Sequence, residues 1–489
     1  MTARSISIAE LLKRLSASAE AVGDTNQLVS SIAIDSRAVT EGALFVAIRG
    51  ERSDGHAFVS QALANGAAGI VVEAAHLPAV PSGTTVIHVP DTRRALSSLA
   101  AAFYGDPSHD LDVIGVTGTN GKTTTTRMIA SIFNAAGRPC GAIGTVGAEL
   151  GARSWTLENT TPLPPELHAL LAEMRDAGAK AVAMEVSSHA LVLDRVEDVR
   201  FAVAALTNIT RDHLDFHQTI DAYAAAKHRL FTMAHAAVLN ADDVRGTRWA
   251  SELHGRIPVL TYSLTSAADL VPSDVQTSAS GSSFTLSGVP FRIAIPGRFN
   301  IANALAAIGV ARLLGIDDAT SARGLATLER VPGRMEHIGG GDVDVVVDYS
   351  HTPDSLEHAL RALRETTPHA LSVVFGCGGD RDRGKRPEMG RVAAQLADRV
   401  YVTSDNPRTE DPQAIVNEIV TGIGAHEHTV DLDRRNAILR AVSDAQPGDV
   451  VLIAGKGHET YQIVGDRVLP FDDGAVAREA LAARGAHAQ

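Results

Sequence analysis

The stretch that decides the fold is Ile114-Gly115-Val116-Thr117-Gly118-Thr119-Asn120-Gly121-Lys122-Thr123-Thr124. An apolar run at Leu111–Val116 leads into the glycines, and an amphipathic run from Lys122 to Ala135 follows them, so the pattern predicts a strand, a loop and a helix. Backbone N–H groups of such a loop can surround phosphate oxygens, and the positive end of the helix dipole adds to the attraction. The stretch therefore predicts a binding site for a nucleoside triphosphate.

Two side chains of this loop have distinct predicted roles. Lys122 is expected to lie against the β- and γ-phosphates, and the hydroxyl of Thr123 is expected to reach a Mg²⁺ ion. The common form of the loop has glycine where Val116 stands, and here Gly115 and Gly118 lie on either side of that position. A glycine-rich turn that binds nothing is the alternative interpretation, and the Gly-Lys-Thr-Thr sequence between a strand and a helix argues against it. The absence of an Asn-Lys-x-Asp motif after a strand weakens the case for a GTPase.

Bulk composition limits the classes of protein that remain. A length of 489 residues is too great for one ordinary core and suggests about three domains. The 44 basic and 57 acidic residues leave a net charge of −13, which argues against nucleic acid as a partner. No signal-peptide pattern and no membrane-spanning apolar run occur, so we expect a cytoplasmic protein without a membrane partner. The two cysteines, Cys140 and Cys377, suit a reduced compartment.

Short apolar runs alternate with longer amphipathic ones, which predicts an α/β fold with mostly parallel sheets. Breaker residues at Gly105–Ser108 and Val331–Gly333 predict boundaries between three domains at 1–107, 108–331 and 332–489. Besides the loop helix, helices are predicted at Thr92–Tyr104, Asp221–Leu230 and Ile301–Leu314. The other predicted strands are Ala43–Ile48, Ala68–Val72, Val86–Val89, Ala181–Met184, Phe201–Leu206, Ala236–Leu239, Val259–Tyr262, Val343–Val347, Leu371–Phe375, Val400–Thr403 and Val450–Ile453.

Clusters of polar residues follow directly after most of the apolar runs. In open parallel sheets, ligands bind beyond the carboxyl ends of the strands, so these clusters are expected to share the edges of two sheets. The clusters are Thr117–Thr124, Glu185–His189, Asn208–Asp215, Asp348–Asp354, Gly376–Arg386, Asp405–Arg408 and Gly455–Glu459.

Residues Thr117–Thr124 resemble the ATP loop of the Mur ligases, which join amino acids to a UDP-muramoyl precursor. Asp405-Asn406-Pro407-Arg408 resembles the recognition motif of those members that add meso-diaminopimelate, and lysine-adding members lack this arginine. Each short motif is weak evidence by itself, but their collinear order from the first of them to Glu459 identifies the family. The other matching motifs are Asp35–Arg37, Gly42–Ala47, Asp54–His56, Asn159–Thr161, Glu185–His189, Asn208, Asp212–Asp215, Ala226-Lys227, Asn300, Asn303 and Gly333–Glu336.

The resemblance implies an ATP-dependent ligase that adds meso-diaminopimelate to UDP-N-acetylmuramoyl-L-alanyl-D-glutamate in cytoplasmic peptidoglycan precursor synthesis. ATP would phosphorylate the γ-carboxylate of D-glutamate, and the incoming amine would then displace phosphate from this acyl phosphate. The cofactors implied are ATP and Mg²⁺. The three domains would be a UDP-substrate-binding domain, a central P-loop ATP-binding domain and a C-terminal Rossmann-like domain that binds the amino acid. We expect a monomer.

The resemblance also implies roles for residues outside the loop. Glu185, His213 and Lys227 correspond to catalytic residues that, with Thr123, hold Mg²⁺, and the family's matching lysine is carbamylated. Without the resemblance, Glu185 and Lys227 would be interpreted as surface residues and His213 as a structural histidine. The nucleotide contacts implied are Gly118, Thr119, Asn120, Gly121, Lys122, Thr123, Thr124, Asn303, Arg334 and Asp348.

Two further sets of residues are implied to bind the substrates, although each residue alone could be an ordinary loop residue. Arg408 and Gly455 would surround the distal carboxylate of diaminopimelate, and Glu459 would receive its ammonium group. Leu193 is a departure, because many relatives have glutamine there. For the nucleotide precursor the residues are Ile34, Ser36, Glu51, Arg52, Ser53, Asn159, Thr160, Thr161, Ser187, Leu193 and Arg195. For the amino acid they are Arg381, Asp405, Asn406, Pro407, Arg408, Gly455 and Glu459.

Three alternatives remain open from the sequence. A lysine-adding Mur ligase is disfavoured by Arg408. A folylpolyglutamate synthase would share the ATPase and C-terminal plan but would not be expected to carry the first 107 residues. A nucleotide-dependent binding or switch protein would hydrolyse ATP without joining two substrates.

Overall fold

The computed structural model describes residues 5–15, 17–50, 53–73, 79–278, 281–339 and 342–487. The chain divides into two compact units. Unit 1 comprises Met1–Gly115, Arg138–Ala204 and Ala226–His235, and unit 2 comprises Val116–Gly137, Ala205–Ala225 and Ala236–Gln489. A search of the described residues finds no helix with the length and apolar character needed to cross a membrane.

Helices and strands alternate along most of the chain, as the sequence predicts. The strands are β1 (Ile6–Ser7), β2 (Glu20–Val22), β3 (Leu28–Val29), β4 (Ser31–Ala33), β5 (Ala43–Val46), β6 (Gly69–Glu73), β7 (Thr85–Val89), β8 (Asp112–Thr117), β9 (Cys140–Gly144), β10 (Gly147–Leu150), β11 (Arg153–Trp155), β12 (Ala181–Glu185), β13 (Phe201–Leu206), β14 (Ala237–Asn240), β15 (Val259–Tyr262), β16 (Ser273–Ser278), β17 (Gly281–Leu286), β18 (Val289–Ile293), β19 (Glu336–His337), β20 (Asp344–Asp348), β21 (Leu371–Phe375), β22 (Arg399–Val402), β23 (His428–Val430), β24 (Val450–Ala454), β25 (Tyr461–Val464) and β26 (Arg467–Pro470). The helices are α1 (Ile8–Leu12), α2 (Val59–Ala64), α3 (Thr92–Phe103), α4 (Lys122–Ala135), α5 (Pro164–Asp176), α6 (Ser188–Val192), α7 (Leu214–His217), α8 (Ile220–Thr232), α9 (Val244–Leu253), α10 (Arg298–Leu313), α11 (Asp318–Ala326), α12 (Pro353–Thr366), α13 (Lys385–Leu396), α14 (Pro412–Ile423), α15 (Arg434–Asp444) and α16 (Asp473–His487).

Unit 1 begins with a five-stranded sheet in the order β2-β7-β6-β5-β4. Its strands β4 to β7 are parallel and β2 pairs antiparallel with β7. Successive side chains of a strand point to opposite faces, and both faces are covered here. Leu44 and Val46 accordingly enter one hydrophobic cluster, whereas Ala43 and Phe45 enter the other.

A second sheet supplies strands to both units, because β8 and β13 begin in unit 1 and end in unit 2. In unit 1 the order is β11-β10-β9-β12-β8-β13, and in unit 2 it is β8-β13-β14-β15. Strand β12, which ends at Glu185, is thus the neighbour of the strand that leads into the phosphate loop, as expected for a doubly wound sheet.

Unit 2 also contains a six-stranded sheet in the order β19-β20-β24-β21-β22-β23. All neighbouring strands pair in parallel except β19, which is antiparallel to β20. A three-stranded antiparallel sheet, β16-β17-β18, and a two-stranded ribbon, β25-β26, complete the unit. The polar clusters predicted from the sequence follow β20, β21, β22 and β24, which places them beyond the carboxyl ends of parallel strands.

The predicted α/β class is confirmed. Helix α4 and strands β13, β15 and β21 have the predicted bounds, and the other predicted elements are present with ends shifted by a few residues. The predicted domain boundaries at 107 and 331 stay a prediction.

Candidate active site

Two glycines let the phosphate loop pass close to its neighbours in unit 2. Gly118 and Gly121 have φ values of 148° and 87°, in a region that side chains rarely adopt. A Cβ atom on Gly118 would lie 1.8 Å from the Thr207 hydroxyl, and one on Gly121 would lie 2.3 Å from Oδ1 of Asn303. The loop therefore has no room for larger residues at these positions.

Hydrogen bonds to the segment after β13 fix the loop. The Thr119 amide donates to the Asn208 carbonyl at 2.8 Å, and the Asn120 amide donates to Oδ1 of Asn208 at 3.0 Å. The Thr119 hydroxyl lies 3.1 Å from the hydroxyl of the buried Tyr223. Asn120 in turn donates through Nδ2 to Asp354 at 2.7 Å. The loop is thus held at both its backbone and its side chains.

Cations converge on the start of α4. The Lys122 ammonium donates to the carbonyls of Gly118 and Thr119 at 2.9 and 2.8 Å. Arg334 donates through Nη2 to the hydroxyl of the buried Thr123 at 3.1 Å, and its guanidinium lies 4.3 Å from the centre of the Tyr349 ring. Buried Nε of Arg334 has no hydrogen-bond partner in the described part of the chain. A donor of this kind is suited to an anion.

Asp348 lies at the end of β20 and holds the segment that carries Arg334. Its Oδ2 accepts the Met335 amide at 2.7 Å, and its Oδ1 accepts the Ser350 hydroxyl. Burial raises the pKa of the Asp348 carboxyl, and these hydrogen bonds and Arg334 only partly oppose that rise. Asn303 is also buried and donates to Asn300 Oδ1 at 3.0 Å.

His213 occupies a backbone conformation with φ of 53°, and its Nε2 lies 3.4 Å from Oδ2 of Asp212. Burial alone would raise the pKa of Asp212. The positive potential of His213, Lys385 and Lys122 helps to outweigh burial, so the net pKa is lowered. Lys385 and Lys122 thus place positive charge near this carboxyl group, which suits phosphate chemistry.

A polar pocket lies beyond strands β22 and β24. Arg408 has φ of 52°, and it is held there because its amide donates to the Ile463 carbonyl and its own carbonyl accepts the Gly465 amide. Its guanidinium donates to the Gly379 carbonyl at 2.8 Å. Burial lowers the pKa of Arg408, although this guanidinium stays charged. A non-glycine residue in this conformation costs about 1–3 kcal/mol, which is typical of binding sites.

Acidic groups line the same pocket. Asn406 donates through Nδ2 to Oε2 of Glu459 at 2.9 Å. Burial and the charge of Asp405 raise the pKa of the Glu459 carboxyl. Oδ1 of the buried Asp405 lies 3.3 Å from the Lys456 ammonium. Gly455, with φ of 119°, lies beside Asp405, since a Cβ on it would be 3.8 Å from the carboxyl carbon. The pocket thus has a cation at Arg408 and acceptors at Asp405 and Glu459.

Two other residues predicted for this pocket lie next to Arg408, Arg381 in space and Pro407 in sequence. Arg381 is exposed and donates to the Asp380 carbonyl at 2.9 Å. Pro407 is buried, and its carbonyl lies so close to Gly379 that a Cβ there would be 1.9 Å away. Pro407 thus fixes the loop before Arg408.

In unit 1 a network of hydroxyls surrounds the buried Glu185. Its carboxylate accepts the Thr145 amide at 2.9 Å and the Thr145 hydroxyl at 3.2 Å. The Thr145 hydroxyl lies 3.1 Å from that of Thr160. The Thr161 hydroxyl donates to the Glu185 carbonyl at 2.9 Å and accepts the Ser187 amide at 3.0 Å. The structure therefore brings several predicted precursor-binding residues beside a predicted metal ligand.

Other predicted residues of unit 1 lie around this network or in the first sheet. Arg195 donates to the Thr161 carbonyl at 3.0 Å, and Ser187 caps helix α6 through the Ala190 amide. Lys227 is 1% exposed on helix α8. Asn159 and Leu193 are half-buried. Ser36 is buried and donates to Gln61 at 2.8 Å, Ile34 packs at the edge of the first core, and Ser53 is exposed. Glu51 and Arg52 lie outside the described residues.

The predicted metal ligands are divided between the units: Glu185 and Lys227 belong to unit 1, and Thr123 and His213 to unit 2. Among the described residues no group of three or more His, Cys, Asp or Glu side chains could hold a metal ion. The predicted metal ligands include only one Glu and one His, beside a threonine and a lysine. They are therefore not a group of that kind.

Comparison with known proteins shows the family to which the chain belongs. Residues 28–104 match the model described as "Mur ligase family, catalytic domain", 116–311 match "Mur ligase middle domain" and 333–457 match "Mur ligase, glutamate ligase domain". A UDP-N-acetylmuramoyl-L-alanyl-D-glutamate--2,6-diaminopimelate ligase of Chlorobaculum tepidum is 47% identical over 473 residues, with 93% of each chain covered. The chain belongs to the Mur ligase family.

Two further relatives of this Mur ligase carry the same name. The protein of Syntrophomonas wolfei is 45% identical over 491 residues, which cover 97% of this chain and 99% of the relative. A solved structure named UDP-N-acetylmuramoyl-L-alanyl-D-glutamate--2,6-diaminopimelate ligase is 34% identical, with a TM-score of 0.68 and 98% of this chain and 99% of that chain covered.

Several residues at the sites of this Mur ligase were missed by sequence reasoning. Thr145 follows β9 and contacts Glu185, but one threonine after a strand gives no recognisable pattern. Asp354 lies in the first turn of α12 and is predicted only as part of a polar cluster, although it contacts Asn120. Lys456 stands inside Gly455–Glu459, where two of the residues were assigned and the lysine was not. Its position between glycines was the available signal.

Proposed function

We propose that this chain is an ATP-dependent ligase that joins meso-diaminopimelate to UDP-N-acetylmuramoyl-L-alanyl-D-glutamate. The observation that carries the proposal is the half-buried Arg408, held in a strained conformation beside Asp405 and Glu459. Diaminopimelate has one more carboxylate than lysine, and a planar guanidinium can bind a carboxylate through two hydrogen bonds. The relatives of Chlorobaculum tepidum and Syntrophomonas wolfei are both named as ligases for 2,6-diaminopimelate, which supports this substrate.

The nucleotide would be ATP, bound by the amides and side chains from Gly118 to Thr124. Asn303, Arg334 and Asp348 would complete this site, and the unsatisfied Nε of Arg334 supports an anionic ligand there. Mg²⁺ would be held by Thr123, Glu185, His213 and a carbamylated Lys227. When bound, the metal neutralises charge on the phosphates. A threonine hydroxyl, a carboxylate and a carbamate are oxygen donors, which fit this ion.

The reaction would proceed in two steps. An oxygen of the γ-carboxylate of D-glutamate attacks the γ-phosphorus of ATP, the bond to the bridging oxygen breaks, and ADP leaves. The free amine of diaminopimelate then attacks the acyl carbon, phosphate leaves with the bonding electron pair, and the amine loses a proton. Lys122 and Arg334 would neutralise charge that develops on the transferred group, since both lie at the start of α4.

The amino acid would bind in the pocket beyond β22 and β24. Arg408, with the open backbone of Gly455 near it, would receive the distal carboxylate. The ammonium group would lie between Asp405 and Glu459, because burial and the charge of Asp405 raise the pKa of Glu459. A bound cation would stabilise the charged form of Glu459.

The precursor would be bound by unit 1. Thr160, Thr161, Ser187 and Arg195 form one hydrogen-bonded group around Glu185, which supports a role near the sugar and peptide. Ser36 and its neighbours would hold the uridine diphosphate. We further propose three domains with boundaries near 107 and 331, supported by separate matches to residues 28–104, 116–311 and 333–457. We also propose that the protein is a cytoplasmic monomer.

A competition assay tests the proposal. The enzyme is given ATP, the UDP-muramoyl-dipeptide and equal concentrations of meso-diaminopimelate and L-lysine, and the products are separated by mass. We expect the diaminopimelate product to dominate, whereas a dominant lysine product would make the chain a lysine-adding ligase. ATP hydrolysis that ignores both substrates would indicate a switch protein. Ligation of glutamate to a folate would indicate a folylpolyglutamate synthase, which the match at residues 28–104 disfavours.

A further inference from the structure

The side chain of Lys456 is entirely buried beneath the amino-acid pocket. Its exposed fraction is 0%, and its ammonium has four oxygen neighbours. Nζ donates to Oδ1 of Asn406 at 2.9 Å and to the Tyr461 carbonyl at 2.7 Å. It also forms ion pairs with Asp405 at 3.3 Å and with Glu459 at 3.6 Å. With no exposed surface, the ammonium would act on a ligand through these neighbours.

The backbone after Lys456 is fixed by close approaches. Gly457 has φ of 54°, and a Cβ on it would lie 2.7 Å from the Gly333 carbonyl and 2.8 Å from Cβ of Tyr349. Before Lys456, Gly455 has φ of 119° and directly follows β24. The end of a central strand and this close approach together set the position of the ammonium.

The ammonium determines which way the Asn406 amide faces. Oδ1 of Asn406 accepts both Lys456 Nζ and the Ile463 amide, the latter at 2.9 Å. Both of these partners are donors, so the oxygen must face them and Nδ2 must face Glu459. Nδ2 accordingly donates to Oε2 of Glu459 at 2.9 Å. One buried cation thus orients an amide, and the amide orients the carboxylate.

The same ammonium balances charge. Burial, and after it the charge of Asp405, raise the pKa of the Glu459 carboxyl. Lys456 is close to both carboxylates and opposes this rise. Without it, Glu459 would be expected to take up a proton more readily and lose its attraction for an ammonium ligand.

We propose that Lys456 is a positioning residue that sets the affinity and selectivity of the pocket for the amino acid, by orienting Asn406 and Glu459 and by placing a buried positive charge between Asp405 and Glu459. The inference rests on the proposed function, because it takes the pocket to be the one that binds diaminopimelate. The ammonium itself would make no contact with that substrate.

The experiment compares Lys456→Met with the wild-type enzyme in steady-state ligation. We expect the KM for diaminopimelate to rise by at least about tenfold, because a charged, buried hydrogen-bond network is lost. The KM values for ATP and for the UDP-muramoyl-dipeptide should stay within about twofold, since a purely structural defect would alter all three substrates. Selectivity for diaminopimelate over lysine should fall as well. Lys13→Met, on an exposed lysine, is the control.

Thermal unfolding of each variant shows whether it is folded. If Lys456→Met does not fold, Lys456→Gln takes its place, because its amide can still donate to Asn406 but carries no charge. A folded variant with an unchanged KM for diaminopimelate, or with all three KM values raised equally, would overturn the inference. Wild-type enzyme that makes no diaminopimelate product would instead refute the proposed function, so the two failures are distinguishable.

Discussion

Arg334 donates a 3.1 Å hydrogen bond to the hydroxyl of Thr123, the residue that follows the lysine of the phosphate loop. The two residues are far apart in the sequence, yet the guanidinium lies at the start of α4, where the phosphates of a nucleotide would bind. The contact also places the stacked Tyr349 ring next to this end of the helix. The segment before β19 therefore supplies a cation next to the phosphate loop.

Arg334→Met should lower kcat by on the order of a hundredfold, since a cation that stabilises phosphoryl transfer is removed. The melting temperature should fall modestly, because the hydrogen bond to Thr123 and the contact with the Tyr349 ring are lost. Arg330→Met is the control, as this exposed arginine pairs only with Glu336 in the described residues. Equal kcat values in the two variants would show that Arg334 does not act at the nucleotide site.

Gly118→Ala should abolish ATP-dependent ligation and destabilise the protein, because the new Cβ would lie 1.8 Å from the Thr207 hydroxyl. Gly137→Ala is a matched control, since Gly137 also has positive φ, at 70°, but has nothing within 4 Å of its Cβ position. The control should cost about 1 kcal/mol of stability and leave activity intact. Thermal unfolding and initial ligation rates measure the difference.

Arg408→Lys should reduce kcat/KM for diaminopimelate by the equivalent of about 1–3 kcal/mol, because an ammonium replaces a bidentate contact with a single charge. The kcat/KM for ATP should be unaffected. Arg391→Lys, on the exposed face of α13, serves as the comparison. An unchanged kcat/KM for diaminopimelate would show that Arg408 does not recognise the distal carboxylate.

Glu185→Gln should raise the Mg²⁺ concentration needed for half-maximal ligation by about tenfold or more, since a metal carboxylate becomes a neutral amide. The amide oxygen can still accept the Thr145 amide, and the amide NH2 can donate to the Thr145 hydroxyl, so folding should be preserved. Titration of activity with Mg²⁺ gives the measurement, and Glu252→Gln on the surface is the control. A superimposable titration curve would argue against Glu185 as a metal ligand.

His168 should make unit 1 less stable in acid. It is fully buried on α5, and neither ring nitrogen has a hydrogen-bond partner in the described part of the chain. Burial lowers its pKa from 6.5 to about 4, against the weaker attraction of Asp106. Between these pH values the unfolded chain binds the proton and the folded protein does not, so stability falls as the pH drops, by about 3 kcal/mol at most.

His168→Leu should flatten this dependence, whereas His254→Leu, at an exposed position, should leave it unchanged. Melting temperatures measured from pH 7 down to pH 4 make the comparison. Parallel curves for wild type and His168→Leu would show that another group is responsible.

The sequence was sufficient to predict the parts of the fold that depend on local pattern. Helix α4 was predicted at both ends, because an apolar strand, a glycine loop and an amphipathic run leave few other interpretations. The short antiparallel strands β16 to β18 were not predicted, since they alternate weakly and depend on pairing with each other. Residue types in motifs pointed to Arg408 and Glu185, whereas the contacts of Thr145 with Glu185 depend on how distant segments meet.

The two thiols of the chain are both free and fully enclosed, and burial raises the pKa of each, Cys140 and Cys377, to about 12. A maleimide dye reacts with exposed thiolates, so it should leave the native chain unmodified under mild conditions. A single cysteine introduced on an exposed helix face would then be the sole point of attachment. Fluorescence studies of substrate-dependent motion could therefore start from the native sequence, with neither native cysteine removed.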